Sequence, residues 1–368
     1  MTKKWEKTDN KGPRIVFMGT PEFAVESLKA LVGGGYNVVG VITTPDRPAG
    51  RGYKLQPSPV KRYALEQGLP LLQPEKLRDP GFLKELKGWK ADLQVVVAFR
   101  MLPEVVWGMP PKGTFNLHSS LLPRYRGAAP INWAIINGES ETGVTTFFLS
   151  HEIDTGHIIF QERTAIEEND TAGSLHDRLM TIGADLVLKT VDAIVQGTAP
   201  SIPQSELVTD EAMLTPAPKI FTEDCRIDWN RNVRDVYNQI RGLSPYPAAW
   251  TELYPGGDEE PLRVKIYASE IVKEIKTGAG NIEQEGKATG REVETVGQET
   301  KSVEKESKTK EQETQTAGTI VTDNRTYLHV ATHDEVVAIT DLQVSGKKRL
   351  QVGDFLNGYK IKGEAYFL

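Results

Sequence analysis

The stretch ADLQVVVAF, residues 91–99, is almost uniformly apolar. A strand with one solvent-exposed face alternates apolar and polar residues. This run therefore predicts a central parallel strand that is covered on both faces. Two further apolar runs, at residues 14–19 and 37–44, flank a helical pattern at residues 20–35. Strands that alternate with helices in this way predict a doubly wound, Rossmann-like α/β domain, which we expect to span residues 13–197.

The second half of the chain has a different pattern. Residues 198–218 are rich in Pro, Ser and Thr and are interpreted as a linker. Short strand-like runs dominate residues 219–368, which predicts a small C-terminal β-barrel of the oligonucleotide-binding (OB) type. Residues 273–317 are highly charged and contain no aromatic residue, so we expect a disordered insertion between two barrel strands.

Composition narrows the class of protein. The 368 residues carry a formal net charge of −6, so contact with a nucleic acid has to depend on a local basic patch. Apolar runs stay well short of the roughly 20 residues that span a bilayer, and the first residues lack a signal-peptide core. Cys225 is the single cysteine, which excludes an internal disulfide. We therefore expect a cytoplasmic protein without membrane contact, and the spacing of His, Cys and carboxylate residues predicts no metal site.

The stretch FNLHSSLLPRYRGAAP, residues 115–130, carries the first candidate site. In an extended chain Asn116 and His118 project to the same face, and the end of a strand in an open α/β sheet is where ligands bind. Downstream, Asp154 lies in EIDTGHI, after a predicted strand that would end at the same rim. Asn and His can stabilise an oxyanion, and a carboxylate can orient the imidazole. The alternative is a hydrogen-bonded strand end and an ordinary Asp-Thr-Gly turn.

A basic segment carries the second candidate site. Residues 45–62 contain five basic residues against Asp46, and their glycines and prolines predict a long loop. Positive charge concentrated in an acidic protein indicates a polyanionic partner. A solvated surface loop is the alternative. The chain lacks G-x-S-x-G, which argues against a hydrolase triad.

Together these motifs resemble a known family. NLHSSLLPRYRGAAP followed by ETGVTTFFLSHEIDTG resembles the formyltransferases that use 10-formyltetrahydrofolate. MGTPEFA, PDRPAGRGYKLQPSPVK, APKIFTEDCRIDW and IRGLSPYPAAWT are similar to the branch of that family that acts on initiator methionyl-tRNA. The similarity runs from about Arg14 to the C-terminus, apart from the insertion, and it involves both predicted domains.

The resemblance implies roles for particular residues. The catalytic residues would be Asn116, His118 and Asp154. It implies 10-formyltetrahydrofolate as co-substrate, no metal, and initiator methionyl-tRNA as the partner of a monomer without an obligate protein partner. The folate-binding residues would be Ser120, Leu121, Leu122 and Pro123, and the tRNA-binding residues would be Arg47, Arg51 and Lys54.

Three departures and two alternatives accompany the resemblance. Arg100 and Met101 replace a turn that usually contains glycine beside the pterin, His157 replaces a common acidic residue, and the insertion is not a feature of the family. One alternative is a folate-dependent formyltransferase acting on a nucleotide or nucleotide-sugar amine. The other is a non-catalytic RNA-binding module.

Overall fold

The structure is a computed structural model that describes residues 12–49, 54–208, 210, 214–256, 259–272 and 316–368. The expected disordered insertion at residues 273–317 lies outside the described residues, except for its last two positions. Within the described part of the chain, no helix has the length and apolar character needed to cross a membrane.

Strands and helices alternate through the first part of the chain. The strands are β1 (Ile15–Gly19), β2 (Val38–Ile42), β3 (Arg47–Ala49), β4 (Lys54–Gln56), β5 (Leu71–Leu72), β6 (Leu93–Val97), β7 (Thr114–His118), β8 (Arg126–Gly127), β9 (Glu141–Phe148), β10 (Ile158–Ala165) and β11 (Pro216–Ala217). The helices are α1 (Glu22–Gly33), α2 (Pro59–Glu66), α3 (Pro80–Gly88), α4 (Glu104–Trp107), α5 (Pro130–Ile136) and α6 (Ala172–Gln196).

The main sheet has seven strands in the order β10-β9-β7-β6-β1-β2-β5. Its central strand β6 is buried along its whole length and pairs in parallel with β1 and β7. On one face the core includes Phe17 and Val95 with α1 and α6, and on the other it includes Val16 and Val96 with α3 and α4. Coverage of both faces explains why β6 lacks alternation. The Rossmann-like fold class predicted from the sequence is confirmed.

The basic segment is only partly a loop. Strands β3 and β4 form a short antiparallel hairpin within it, with Arg47 opposite Gln56. At the base of the hairpin, Asp46 accepts hydrogen bonds from Lys61 Nζ at 2.6 Å and from Gln73 Nε2 at 2.8 Å. These two donors, Lys61 first, hold the pKa of the Asp46 carboxyl below its ordinary value. The hairpin is therefore fixed where it leaves the sheet.

The C-terminal part forms a second, antiparallel sheet. Its strands are β12 (Ala249–Tyr254), β13 (Leu262–Val272), β14 (Ile320–Thr322), β15 (Leu328–Ala331), β16 (Val336–Val344), β17 (Leu350–Gln351) and β18 (Tyr366–Phe367), and its helices are α7 (Val233–Leu243) and α8 (Val352–Gly358). The order is β14-β15-β16-β13-β12-β18, and a bridge between Thr319 and Tyr366 brings the two edges together. The sheet is a nearly closed barrel, as predicted. Helix α8 was not predicted, because a short segment with two glycines carries little helical signal.

Helix α7 packs closely against the first part of the chain. The Arg241 side chain is buried and donates hydrogen bonds to the backbone oxygens of Glu167 at 3.1 Å and Asp170 at 3.0 Å. At Gly242 a Cβ atom would lie 2.7 Å from an Ile136 side-chain carbon, so only glycine permits this approach. The contact joins the barrel to the start of α6 and to α5.

Candidate active site

A cavity of about 670 Å³ opens beyond the carboxyl ends of β6 and β7. Asn116, His118 and Asp154 all line it, so the three candidate catalytic residues come together. The path to Asp154 differs from the one expected. Strand β9 is antiparallel to β7, with Phe148 opposite Phe115, so it ends away from His118. The loop at residues 149–157 then brings Asp154 back to the cavity.

The His118 ring is buried and its two nitrogens have different surroundings. Nε2 lies 2.8 Å from the backbone oxygen of Tyr125. A carbonyl only accepts hydrogen bonds, so Nε2 carries a proton. Nδ1 lies 3.9 Å from Oδ2 of Asp154, which is too long for a hydrogen bond but close enough for Coulomb attraction. Nδ1 is thus the nitrogen that can exchange a proton, and the carboxylate would stabilise positive charge on the ring.

Tyr125 is held by a side-chain cluster of its own. Its hydroxyl donates to Glu139 at 2.7 Å, and Arg124 forms an ion pair with the same carboxylate. Burial, together with this hydrogen bond, raises the pKa of Tyr125 to about 12, so the hydroxyl remains a donor at neutral pH. The backbone of Tyr125 is in the left-handed region, at φ +59°. This cluster holds in place the Tyr125 carbonyl that accepts the hydrogen bond from His118 Nε2.

Asp154 is held by its backbone and its side chain. Its φ is +56°, and its Oδ2 accepts a hydrogen bond from the Gly127 backbone nitrogen at 3.0 Å. Two positions further on, a Cβ on Gly156 would lie 1.6 Å from the oxygen of Phe148, so the loop can close only with glycine there. The Asp154 carboxylate therefore accepts from a residue 27 positions away and lines the cavity, which the alternative of an ordinary local turn does not explain.

Asn116 is the middle residue of β7, is half-buried, and lies opposite Val96 of β6. Its side-chain amide makes no hydrogen bond within the described part of the chain and lines the cavity. An amide donor without a protein partner is available to a ligand oxygen.

Sequence reasoning missed Gln204. This residue lies in the predicted linker, is almost fully buried, and donates from Nε2 to the backbone oxygens of Asp154 at 2.7 Å and Gly156 at 2.9 Å. Its Oε1 accepts hydrogen bonds from the guanidinium of Arg126 at 2.6 and 3.0 Å. The local sequence distinguishes Gln204 only by the Ile-Pro-Gln run in a polar segment. The carbonyls that it binds lie about 50 residues earlier in the sequence.

The four predicted folate residues do not line the cavity. Ser120 is buried and donates to the oxygen of Arg124 at 2.7 Å. Leu122 packs with Phe147 and Ile158, and Leu121 and Pro123 are its neighbours in the chain. The lining of the cavity includes Arg100 and Met101, the pair that departs from the family pattern, and the Met101 side chain is strongly exposed.

The predicted tRNA residues are only partly described. Arg47 lies exposed on β3, and the backbone of Lys54 on β4 pairs with that of Ala49 on β3. Arg51 lies outside the described residues. In the described ranges, no group of three or more His, Cys, Asp or Glu side chains could hold a metal ion.

Comparison with known proteins shows the family of this chain. Residues 13–191 match the formyl transferase family, and residues 219–360 match the formyl transferase C-terminal domain. The chain is 55% identical over 349 residues to the methionyl-tRNA formyltransferase of Bacteroides fragilis, covering 95% of each chain. It is 54% identical to that of Bacteroides thetaiotaomicron, covering 95% of this chain and 96% of the relative.

Solved structures share the fold at lower identity. An N-formyltransferase from Helicobacter canadensis, in complex with folinic acid and dTDP-3-aminofucose, has a TM-score of 0.55 and 19% identity over 91% of this chain and 99% of its own. HypX from Aquifex aeolicus, in complex with tetrahydrofolic acid, has a TM-score of 0.57 and 18% identity over 96% of this chain and 49% of its own.

The two-domain fold and the family matches make this chain a formyltransferase. Within that class, its identity to relatives over nearly its whole length places it in the methionyl-tRNA formyltransferase family.

Proposed function

We propose that this protein transfers the formyl group of 10-formyltetrahydrofolate to the amino group of methionyl initiator tRNA, giving N-formylmethionyl-tRNA. The observation that carries the proposal is the convergence of the Asn116 amide, His118 Nδ1 and the Asp154 carboxylate on one cavity. The full-length similarity to methionyl-tRNA formyltransferases supports this acceptor over a nucleotide or a nucleotide sugar.

The proposed chemistry follows from the three side chains. The amine attacks the formyl carbon, and the new C–N bond leaves an oxyanion, which Asn116 and protonated His118 stabilise as donors. Asp154 accepts the proton that leaves the attacking nitrogen, directly or through a water molecule. Breakage of the bond to folate N10 returns the electron pair to that nitrogen, which takes up a proton. Gly127 donates to Oδ2 of Asp154, and within the described ranges no hydrogen bond engages Oδ1, which we assign to this role.

We place the folate in the same cavity, against apolar residues such as Phe99, Leu102 and Ile131. The segment from Ser120 to Pro123 supports this site indirectly, since Ser120 donates to the oxygen of Arg124, next to Tyr125, and the Leu122 oxygen accepts from Gln161. Arg47, Arg51 and Lys54 remain the proposed contacts to the acceptor end of the tRNA.

The remaining assignments are proposals of the same kind. The catalytic domain is residues 13–197, the linker 198–218 and the tRNA-binding barrel 219–368. We propose that the enzyme acts as a cytoplasmic monomer without an obligate protein partner.

A formyl-transfer assay with purified enzyme tests the proposal. The acceptors are methionyl initiator tRNA, the same tRNA without methionine, free methionine, and an amino-sugar nucleotide. Rapid formylation of the charged tRNA alone is expected. Preferential formylation of the amino-sugar nucleotide would support the alternative formyltransferase, and tRNA binding without turnover would support an RNA-binding module.

A further inference from the structure

The β3–β4 hairpin is exposed on the surface of the α/β domain. The side chains of Arg47, Pro48, Leu55 and Gln56 are all exposed, that of Leu55 to 65%. Among the described residues, none of these four belongs to a hydrophobic core cluster. An isolated two-stranded hairpin is marginally stable in water, and each strand of this one has only three residues. Contacts at its base therefore set its direction relative to the main sheet.

Three side chains from separate elements meet at that base. Asp46 precedes β3, Lys61 lies in the first turn of α2, and Gln73 follows β5. Oδ2 of Asp46 accepts a hydrogen bond from Lys61 Nζ at 2.6 Å, and Oδ1 accepts one from Gln73 Nε2 at 2.8 Å. Each oxygen of the carboxylate thus has its own donor. We call these three residues the base clamp.

Neighbouring hydrogen bonds reinforce the base clamp. Gln73 Nε2 also donates to the backbone oxygen of Thr44 at 2.8 Å. Thr43, the residue after β2, shares a hydrogen bond of 2.8 Å with the hydroxyl of Ser58, which caps the start of α2. The stretch of chain that enters the hairpin is therefore tied both to the stretch that leaves it and to the end of β5.

The base clamp contributes direction more than stability. The side chains of Lys61 and Asp46 remain 19% and 27% exposed, and an ion pair in contact with water adds little to the free energy of unfolding. The core of the α/β domain is built from fully buried apolar side chains such as Phe17 and Val95. Loss of the clamp should therefore leave this domain folded and the hairpin free to reorient.

We propose that Asp46, Lys61 and Gln73 are positioning residues, which hold the β3–β4 hairpin in the orientation that binds the acceptor end of the tRNA. This inference rests on the proposed function, because it takes the basic residues of the hairpin as tRNA contacts. The affinity for a partner falls in proportion to the fraction of the protein in the binding-competent conformation. If loss of the clamp lowers that fraction to about one tenth, the tRNA binds about tenfold more weakly.

Asp46 gives the sharpest test, because two explanations predict opposite signs. Asp46→Ala removes a negative charge beside the hairpin, so electrostatics alone would strengthen the attraction to tRNA. Loss of the clamp would weaken tRNA binding instead. With full-length enzyme, the KM for methionyl initiator tRNA should rise about five- to tenfold, while kcat and the KM for 10-formyltetrahydrofolate stay unchanged. An unchanged or lower KM for the tRNA overturns the proposal.

Further variants separate the clamp from charge. Gln73→Leu removes a donor without changing the net charge and should also raise the KM for the tRNA. The exchange Asp46→Lys/Lys61→Asp keeps the net charge and restores an ion pair, and the Gln73 amide can accept as well as donate, so part of the loss should be recovered. Lys29→Met is the matched control for Lys61→Met, since Lys29 also lies 2.6 Å from a carboxylate, that of Glu26 within α1, and it should retain the wild-type KM.

Filter binding of charged initiator tRNA across a salt series, beside thermal unfolding, separates the remaining outcomes. Gln73→Leu should bind more weakly with an unchanged slope of log affinity against log salt, because its contacts to phosphate are the same once the hairpin is in place. Weaker binding by Lys61→Met alone, with a shallower slope, would assign Lys61 to a phosphate and overturn the clamp. Wild-type affinity in all the variants overturns the clamp alone, whereas a wild-type enzyme that binds no tRNA overturns the proposed function with it.

Discussion

Gln204 donates two hydrogen bonds from one amide nitrogen, to the backbone oxygens of Asp154 and Gly156, and so holds the turn that carries the candidate catalytic carboxylate. Its oxygen is bound by Arg126, the residue before the glycine that donates to the Asp154 carboxylate. The nitrogen of the Gln204 amide therefore binds the turn that contains Asp154, and its oxygen binds the strand whose Gly127 donates to the Asp154 carboxylate.

Gln204→Ala should lower kcat by roughly ten- to hundredfold with little change in KM, because a small displacement of a proton-transfer group is costly. Gln204→Glu retains an acceptor for Arg126 but loses the donors to the two carbonyls, so it should resemble Gln204→Ala. Steady-state kinetics beside thermal unfolding checks this. An equal loss of stability in both variants with wild-type kcat would remove Gln204 from the positioning of Asp154.

His118→Ala and Asp154→Asn should each lower turnover by at least about a hundredfold, the effect of removing an oxyanion donor or a proton acceptor. Folding should persist, because His118 is the last residue of β7 and Asp154 lies in the loop between β9 and β10. His157→Ala is a matched control, since His157 hydrogen-bonds Ser201 outside the catalytic cavity. A near wild-type rate in either catalytic variant would contradict the assignment.

Arg51→Ala should weaken tRNA binding while folate affinity stays unchanged, and Arg51→Lys should recover only part of the loss, because arginine binds phosphate bidentately. The slope of log affinity against log salt should become shallower by about 0.7 to 0.9, the value for one phosphate contact. Filter binding across a salt series measures both quantities. Unchanged tRNA affinity and slope would exclude Arg51 from the interface.

Asp170→Asn should reduce stability by about 2 kcal/mol at pH 7, since it breaks the ion pair at 2.7 Å between the buried Asp170 carboxylate and the partly exposed Arg178. Burial alone would raise the pKa of Asp170, but hydrogen bonds from Arg178, the Glu167 amide and Ser174 outweigh it and lower the pKa. The stabilisation is therefore present above the unfolded-state pKa of about 3.9 and is lost as pH falls through the lower folded value.

Urea unfolding of wild type and variant should accordingly show a constant difference between pH 7 and pH 5 that shrinks below about pH 4. Asp177→Asn, which changes an exposed carboxylate on α6 next to Arg178, should have little effect at any pH. A stability difference between wild type and Asp170→Asn that grows as the pH is lowered would contradict a lowered pKa for Asp170.

The sequence predicted those features that depend on short-range pattern. The almost uniformly apolar run of β6 identified a doubly covered strand, and the spacing of Asn116 and His118 predicted that they share one face of β7. Gln204 could not be found in this way, because a buried glutamine in a polar segment is recognisable only from partners far along the chain. Likewise, the antiparallel course of β9 depends on pairing across the sheet, which local periodicity does not specify.

Strand β11 has a practical consequence for dissecting or recombining enzymes of this family. Strand β11 pairs with β8, and a Cβ on Gly127 would lie 2.4 Å from the oxygen of Ala217, so the two backbones are in contact at Gly127. Gly127 is also the residue that donates a hydrogen bond to Asp154. A fragment ending at residue 197 would lose this strand together with Gln204. Crossover points for chimeras that exchange the C-terminal barrel therefore belong after residue 218, even though the composition of the sequence suggests an earlier cut.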